Sequence, residues 1–347
     1  MIEIRIFSLK MGMKNPFKIA HGTYDYRENV FIQINRNGRI GYGEAPIVPY
    51  YGISAEDVKK DLQNCVNLQT IESLELMLNG QSGGKNPSCR YPVSLSALQS
   101  ALASIGQQSS ISRDQLLLQT SMTLAYDDNI DNMIEGAQDS GFHCFKVKAG
   151  IPGDVERIRG IKNELPDSII RVDANQGWTF QEAQVKIAEL EDIGVELIEE
   201  PIAGAAEELE TLARNTRIPI ILDESVQNDS QLNNFLIHAP HIAGIVVKIA
   251  KTGGPCETLA LIHKARNAGL KVMLSCMVES SVGVSAALPL APLCDWIDLD
   301  GPLLLADDPF SGIIYDNERP LLQEQGITPS IKVEKLLSSI AVIRLED

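Results

Sequence analysis

Gly141-Phe-His-Cys-Phe-Lys-Val-Lys-Ala-Gly150 is an apolar run that closes on two alternate lysines, Lys146 and Lys148. Three later apolar runs end on Asp173, Glu199 and Asp223, and a fourth ends on Lys248. Counted from Lys148, the steps between these residues are 25, 26, 24 and 25. One strand, one helix and two short loops take up about that length, so each βα unit carries a charged residue at the same end. Reading outward, the pattern predicts strands at 119–125, 143–148, 169–173, 195–199, 219–223, 244–248, 271–275 and 295–299. Eight strands with helices between them favour a closed parallel barrel. An open doubly wound sheet is the alternative, but the Gly-rich turn expected after its first strand is absent.

The first third has another rhythm. Strands are expected at 1–10 and 29–36, and Asn37-Gly38 signals a hairpin leading into Arg39–Ala45. Helices are expected at 54–66, opened by Ser54 with Asp57 three residues on, and at 93–105. The polar stretch Asn79–Pro87 reads as a loop. The chain therefore divides into an α+β part at 1–117, a barrel at 118–312 and a tail at 313–347. The strand-like run 340–345 in that tail is expected to return to the first part.

With 44% hydrophobic residues in 347, the chain can bury a large core. A formal charge of −16 argues against nucleic acid or an anionic membrane as partner. The six cysteines show no C-x-x-C spacing, so neither structural zinc nor a disulfide framework is expected. Met1–Ile6 alternates like a strand, no stretch is long and apolar enough to span a bilayer, and a cytoplasmic location is expected. An assembly of identical copies is left open.

In a parallel barrel, alternate strand residues point inward and the C-terminal strand ends form the active face. Lys146 and Lys148 then face the mouth, while Phe145 and Val147 face the helices. Asp173, Glu199 and Asp223 each follow apolar residues at the edge of a core, where unpaired charge is costly. Three converging carboxylates call for a divalent cation, and an all-oxygen set suits Mg²⁺. Any one of them could equally be an ordinary helix cap. Asn175 follows Asp173 on the same side. Lys248 lies about half-way round from Lys148, and near Mg²⁺ and a second lysine its neutral form would be favoured, as a base requires. Lysines on opposite sides of a metal-held carboxylate could remove a proton from one face and return it to the other. Lys251, before Gly253-Gly254, reads as a structural loop residue. Glu279 and the pair Asp298 and Asp300 are expected on the same rim, where paired acids could hold a substrate ammonium group. None of His21, His143, His238, His241 and His263 sits at a favourable strand end with a carboxylate partner, and they read as structural or solvated.

Lys146-Val-Lys148, Asp173-Ala-Asn175, Ile198-Glu-Glu-Pro201, Leu222-Asp-Glu-Ser225 and Val247-Lys-Ile-Ala-Lys251 together resemble the enolase superfamily. The resemblance is to the branch of muconate-lactonising enzymes, o-succinylbenzoate synthases and dipeptide epimerases, over essentially the whole chain. It implies a (β/α)7β TIM-like barrel with an α+β capping domain. It also implies Mg²⁺ on Asp173, Glu199 and Asp223, and an enediolate formed by α-proton removal; a Lys or His base with Mg²⁺ is the arrangement generally cited for this superfamily. Lys148 and Lys248 become the acid/base pair, Lys146 supports the substrate carboxylate, and Glu200 and Asn175 back the metal ligands. Asp298-Leu-Asp300 is most like the dipeptide epimerases, where it holds the free α-ammonium. Epimerases acting on Ala-Glu carry a similar stretch, Phe-Lys-Thr-Ala-Leu-Arg, whose arginine pairs with the glutamate side chain; here Phe17-Lys-Ile-Ala-His-Gly22 has Gly22 in that place, so the resemblance implies a neutral or hydrophobic second residue. Lys18 and Arg27 are the basic residues that could otherwise reach an acidic side chain. A cycloisomerase or o-succinylbenzoate synthase-like lyase is the rival enzyme. A binding protein on an inherited barrel is the rival outside enzymes.

Overall fold

The computed structural model describes residues 1–19, 22–49, 52–70, 73–74, 89–105 and 117–345. Its barrel strands are short and inward-outward patterned. They are β4 (Met122–Leu124), β5 (Cys144–Lys148), β6 (Ile169–Asp173), β7 (Leu197–Glu199), β8 (Ile220–Leu222), β9 (Gly244–Val247), β10 (Lys271–Ser275) and β11 (Trp296–Asp298). All eight pair in parallel and in chain order, and a parallel bridge from Thr120 to Ile297 joins the first to the last. The expected barrel is the observed one.

Alternation along these strands builds two cores. Leu197, Ile221, Val246, Met273 and Trp296 point inward and pack as one plug. Their neighbours Ile198, Ile220, Ile245, Val272 and Ile297 point outward into the larger cluster beneath the helices. The residues two positions beyond the plug are Glu199, Asp223, Lys248, Ser275 and Asp298, all inward and one layer nearer the mouth. An apolar plug therefore forms the floor of a polar site.

The first part forms a sheet of β1 (Ile2–Ile19), β2 (Gly22–Arg36) and β3 (Arg39–Ala45), with a late strand, Ile343–Leu345, pairing antiparallel to β1 at its edge. Helices α1 (Ala55–Asn67) and α2 (Pro92–Ser104) pack on it. Ser54 caps α1 with Asp57 in a reciprocal capping box. Gly41 and Gly43 let α2 press onto β3; a Cβ at Gly43 would stand 1.9 Å from the Ala97 carbonyl oxygen. The loop expected at Asn79–Pro87 lies outside the described residues, as does His21.

One expectation is corrected here. Cys65 and Cys89 are joined in a disulfide, tying α1 to the approach of α2; spacing 24 residues apart gives no motif by which sequence could announce it. His143 and His241 do have carboxylate partners, Glu318 at 2.7 Å and Glu210 at 2.5 Å, but both histidines are exposed and His143 precedes β5, at the opposite end from Lys148. Among the described residues, no helix is long and apolar enough to cross a membrane.

Candidate active site

The register of β5, β6 and β7 sets Lys148 beside Asp173 and Asp173 beside Glu199. Lys146 is buried at the centre, with Nζ 3.0 Å from Asp173 Oδ2, 2.8 Å from Glu199 Oε2 and 3.0 Å from Asp298 Oδ2. Lys148 Nζ donates to Asp173 Oδ2 at 2.7 Å and to Asn175 Oδ1 at 3.3 Å. Across the mouth, Lys248 Nζ donates to Asp223 Oδ2 at 2.5 Å.

Lys251 is the residue whose importance the sequence hid. It stands in a short helical turn, α8 (Ile249–Thr252 in the order that follows α3, Ile130–Ser140; α4, Asp154–Glu164; α5, Phe180–Ile193; α6, Ala206–Arg214; and α7, Asp229–His238). Its ammonium donates to Asp223 Oδ1 at 2.6 Å, to the Asp223 carbonyl at 2.7 Å and to the Val246 carbonyl at 2.9 Å. It is not a loop residue. Three residues of helix turn its side chain back beneath Asp223, a return that linear spacing does not display.

The charges set the electrostatics. Burial alone would raise the Asp173 carboxyl, but Lys146 and Lys148 outweigh it and hold it well below the usual range. Asp223 is likewise held far down against burial by Lys248 and Lys251. Burial and the nearby Asp173 charge push Glu199 up to about 8. Burial would lower Lys248, yet Asp223 holds its ammonium well above the usual lysine range. Asp223, facing Lys248 at ion-pair distance, is the charge that favours this ammonium form.

Whether the three acids suit a divalent cation can be judged from the atoms themselves. Both Glu199 oxygens are buried without a hydrogen-bond partner, and Lys146 meets Oε2 only as a charge contact outside hydrogen-bond alignment. A buried, unsatisfied carboxylate between two further carboxylates is the donor set a hard cation takes. The expected convergence is nevertheless incomplete. Among the described residues no three acidic, His or Cys side chains stand together as a ready-made cage, because lysines engage Asp173 and Asp223. The residues fit Mg²⁺ by chemistry, with their lysine contacts to be exchanged.

Glu200 supports this layer from behind. Its Oε2 accepts from the Asp223 N–H at 2.7 Å, and its Oε1 from Gln176 at 2.8 Å and from the Ser225 hydroxyl. Asn175 bridges Lys148 to Glu224, donating to Oε1 at 3.1 Å.

One cavity opens on these groups. It is lined by Lys146, Lys148, Lys248, Asn175, Asp298 and Asp300, and roofed by Phe17, Arg27 and Pro46–Val48 of the capping part. Asp298 accepts from Ser121 at 2.7 Å and Ser275 at 3.0 Å as well as from Lys146. Asp300 accepts from the Thr123 N–H at 2.5 Å, and burial and the Asp298 charge push it up to about 7. Glu279 is elsewhere. It folds back to accept from the Met277 N–H at 2.8 Å and packs over Gly283, and it does not line the cavity. Gly22 opens β2 with Tyr24 as its neighbour, and it too is not among the lining residues. Arg27, on β2, does line it, with its guanidinium 3.8 Å from the Tyr24 ring centroid. Lys18 is drawn aside, 3.4 Å from Asp128 and stacked on Tyr126.

Residues 130–304 match the family model described as enolase C-terminal domain-like. The chain is 30% identical to an L-Ala-D/L-amino acid epimerase of Maribacter sp., over 94% of this chain and 99% of that one. A dipeptide epimerase of Cytophaga hutchinsonii, solved with Mg and the dipeptide D-Ala-L-Val, superposes with a TM-score of 0.83 at 26% identity, covering 99% of both chains. A muconate lactonizing enzyme of Pseudomonas fluorescens, solved with muconolactone, gives 0.84 at 25% identity, covering 97% of this chain and 98% of that one. With the fold, the strand-end residues and the similarity in agreement, the chain belongs to the enolase C-terminal domain-like family.

Proposed function

We propose that the protein is a Mg²⁺-dependent dipeptide epimerase that inverts the α-carbon of the C-terminal residue, with Lys148 and Lys248 as the two proton-transfer groups. A single observation carries this reading: both lysines line one cavity together with the paired acids Asp298 and Asp300. The acids give a dipeptide's α-ammonium a counter-charge. The lysines arise from β5 and β9, four strands apart, so a carbon between them has a proton carrier on each face.

Asp173, Glu199 and Asp223 would hold Mg²⁺, which when bound supplies positive charge for the substrate carboxylate as the α-proton leaves. Lys146 adds a fixed charge at the same layer. Lys148 and Lys248 take and return the proton at the α-carbon. Asp300, once ionised, holds the ammonium and fixes the distance to the reacting carbon. Ile47, Val48, Met277, Val278 and Leu304 give the cavity an apolar side, which supports a neutral or hydrophobic second residue. The Cytophaga enzyme solved with D-Ala-L-Val supports the same class.

The likeness to the Pseudomonas muconate lactonizing enzyme supports a second reading, a cycloisomerase or lyase using the same lysines. Such a reaction has no use for an ammonium site at the end of β11. Proton NMR in D₂O of a dipeptide library with enzyme and Mg²⁺ separates them. Loss of the C-terminal α-proton signal, with a new diastereomer, is expected. A library left unchanged, or exchange at the N-terminal residue, would refute the proposal.

A further inference from the structure

Beside the catalytic cavity lies a second, apolar one. The catalytic cavity offers about 70 Å³ and its neighbour about 280 Å³. Pro46, Ile47, Val48 and Met277 line both, so these residues are the wall between them. Behind the wall the surface is chiefly apolar, with Ile53 and Val93 from the capping part and Ala250 from the short turn after β9. Ala250 and Lys251 border this chamber and Lys248 borders the catalytic cavity. The chamber is thus bordered by the turn that follows Lys248, and neither Asp298 nor Asp300 lines it. Concave apolar space next to a few convergent polar groups is the usual form of a side-chain subsite.

The wall stands outside the packed interior. Met277 belongs to none of the packed hydrophobic clusters among the described residues, and Ile47 only borders one. Methionine has three rotatable side-chain bonds and adapts readily to a neighbouring group.

Resting on the epimerase reading, we propose that Met277 and Ile47 partition the two cavities. The apolar chamber behind them takes the side chain of the dipeptide's second residue, so these two residues set how large an apolar side chain is accepted.

The test is the ratio of kcat/KM for L-Ala-L-Phe to that for L-Ala-L-Ala. Taking the ratio cancels general losses of activity. Met277→Ala and Ile47→Ala are each expected to raise it about tenfold, the scale of a few methylene contacts. Val93→Phe, which fills the chamber from its far side, is expected to lower it about tenfold and to cancel the gain when combined with Met277→Ala. If a wall variant fails to fold, Val93→Phe alone reads the chamber. A ratio within twofold of the native value in every folded variant overturns the partition. So does a gain confined to L-Phe-L-Ala, which would assign the chamber to the first residue. A native enzyme that epimerises no dipeptide overturns the functional reading instead.

Discussion

Lys248 and Lys251 divide one carboxylate between them, each taking one oxygen of Asp223. Removing either leaves buried charge with half its compensation. Lys251→Met keeps the length of the side chain and deletes three hydrogen bonds, and it is expected to cost about 3 kcal/mol of stability, read as a lower midpoint in urea unfolding. Asp300 gives a pH signature. It must be ionised to hold an ammonium, and burial with Asp298 lifts it to about 7, so kcat/KM for a dipeptide is expected to rise with pH up to about 7 and then level. Asp300→Asn should lower kcat/KM and flatten that limb; a limb that survives the substitution would assign it to another group. At this scale the strand-end acids and lysines were legible, because each closes a mostly apolar run; Glu199, Asp223 and Lys248 each follow an inward apolar residue, Leu197, Ile221 and Val246, by two. Lys251 and Glu279 were not. Their roles follow from a helical turn and a folded-back loop, which spacing along the chain does not encode.

Elements were legible in kind more than in extent. β1 was expected to stop at 10 and runs to Ile19, because a register shift between Gly12 and Phe17 carries the ladder past Pro16, which has no N–H to give. That extension brings Phe17 to the cavity roof. Helix α10 (Ser281–Ala287, following α9, Pro255–Asn267) shows how capping sheet and barrel are joined. Glu44 of β3 accepts from Asn29 at 2.7 Å, from the Ser280 hydroxyl at 2.6 Å and from the Ser280 and Gly283 N–H groups. A carboxylate accepts at every lone pair, whereas an amide turns a donor toward some of these donors. Glu44→Gln is therefore expected to cost about 1–3 kcal/mol and to lower Tm. An unchanged Tm would show that the joint does not depend on this carboxylate.

For the molecule as a whole, regular steps near 25 residues were enough to foresee the barrel, since one βα unit repeats with the same end decorated. The cap was foreseeable as α+β, but its contacts were not: Phe17, Arg27 and Ile47 reach the site from far away along the chain. The metal belongs to this scale, because its three proposed ligands come from three strands. Chelation is expected to abolish epimerisation and Mg²⁺ to restore it, with Asp223→Asn unable to recover fully; full turnover after exhaustive EDTA would remove the cation from the account.

The two-sided proton transfer is the central claim, and the Lys148→Ala and Lys248→Ala variants test it most directly. Each is incubated in D₂O with the L,L and the L,D forms of one dipeptide, and α-proton exchange is followed by NMR. Each variant is expected to exchange the α-proton of one epimer only, with no interconversion, and the two variants should retain opposite epimers. Normal epimerisation by Lys248→Ala, or retention of the same epimer by both variants, would contradict it.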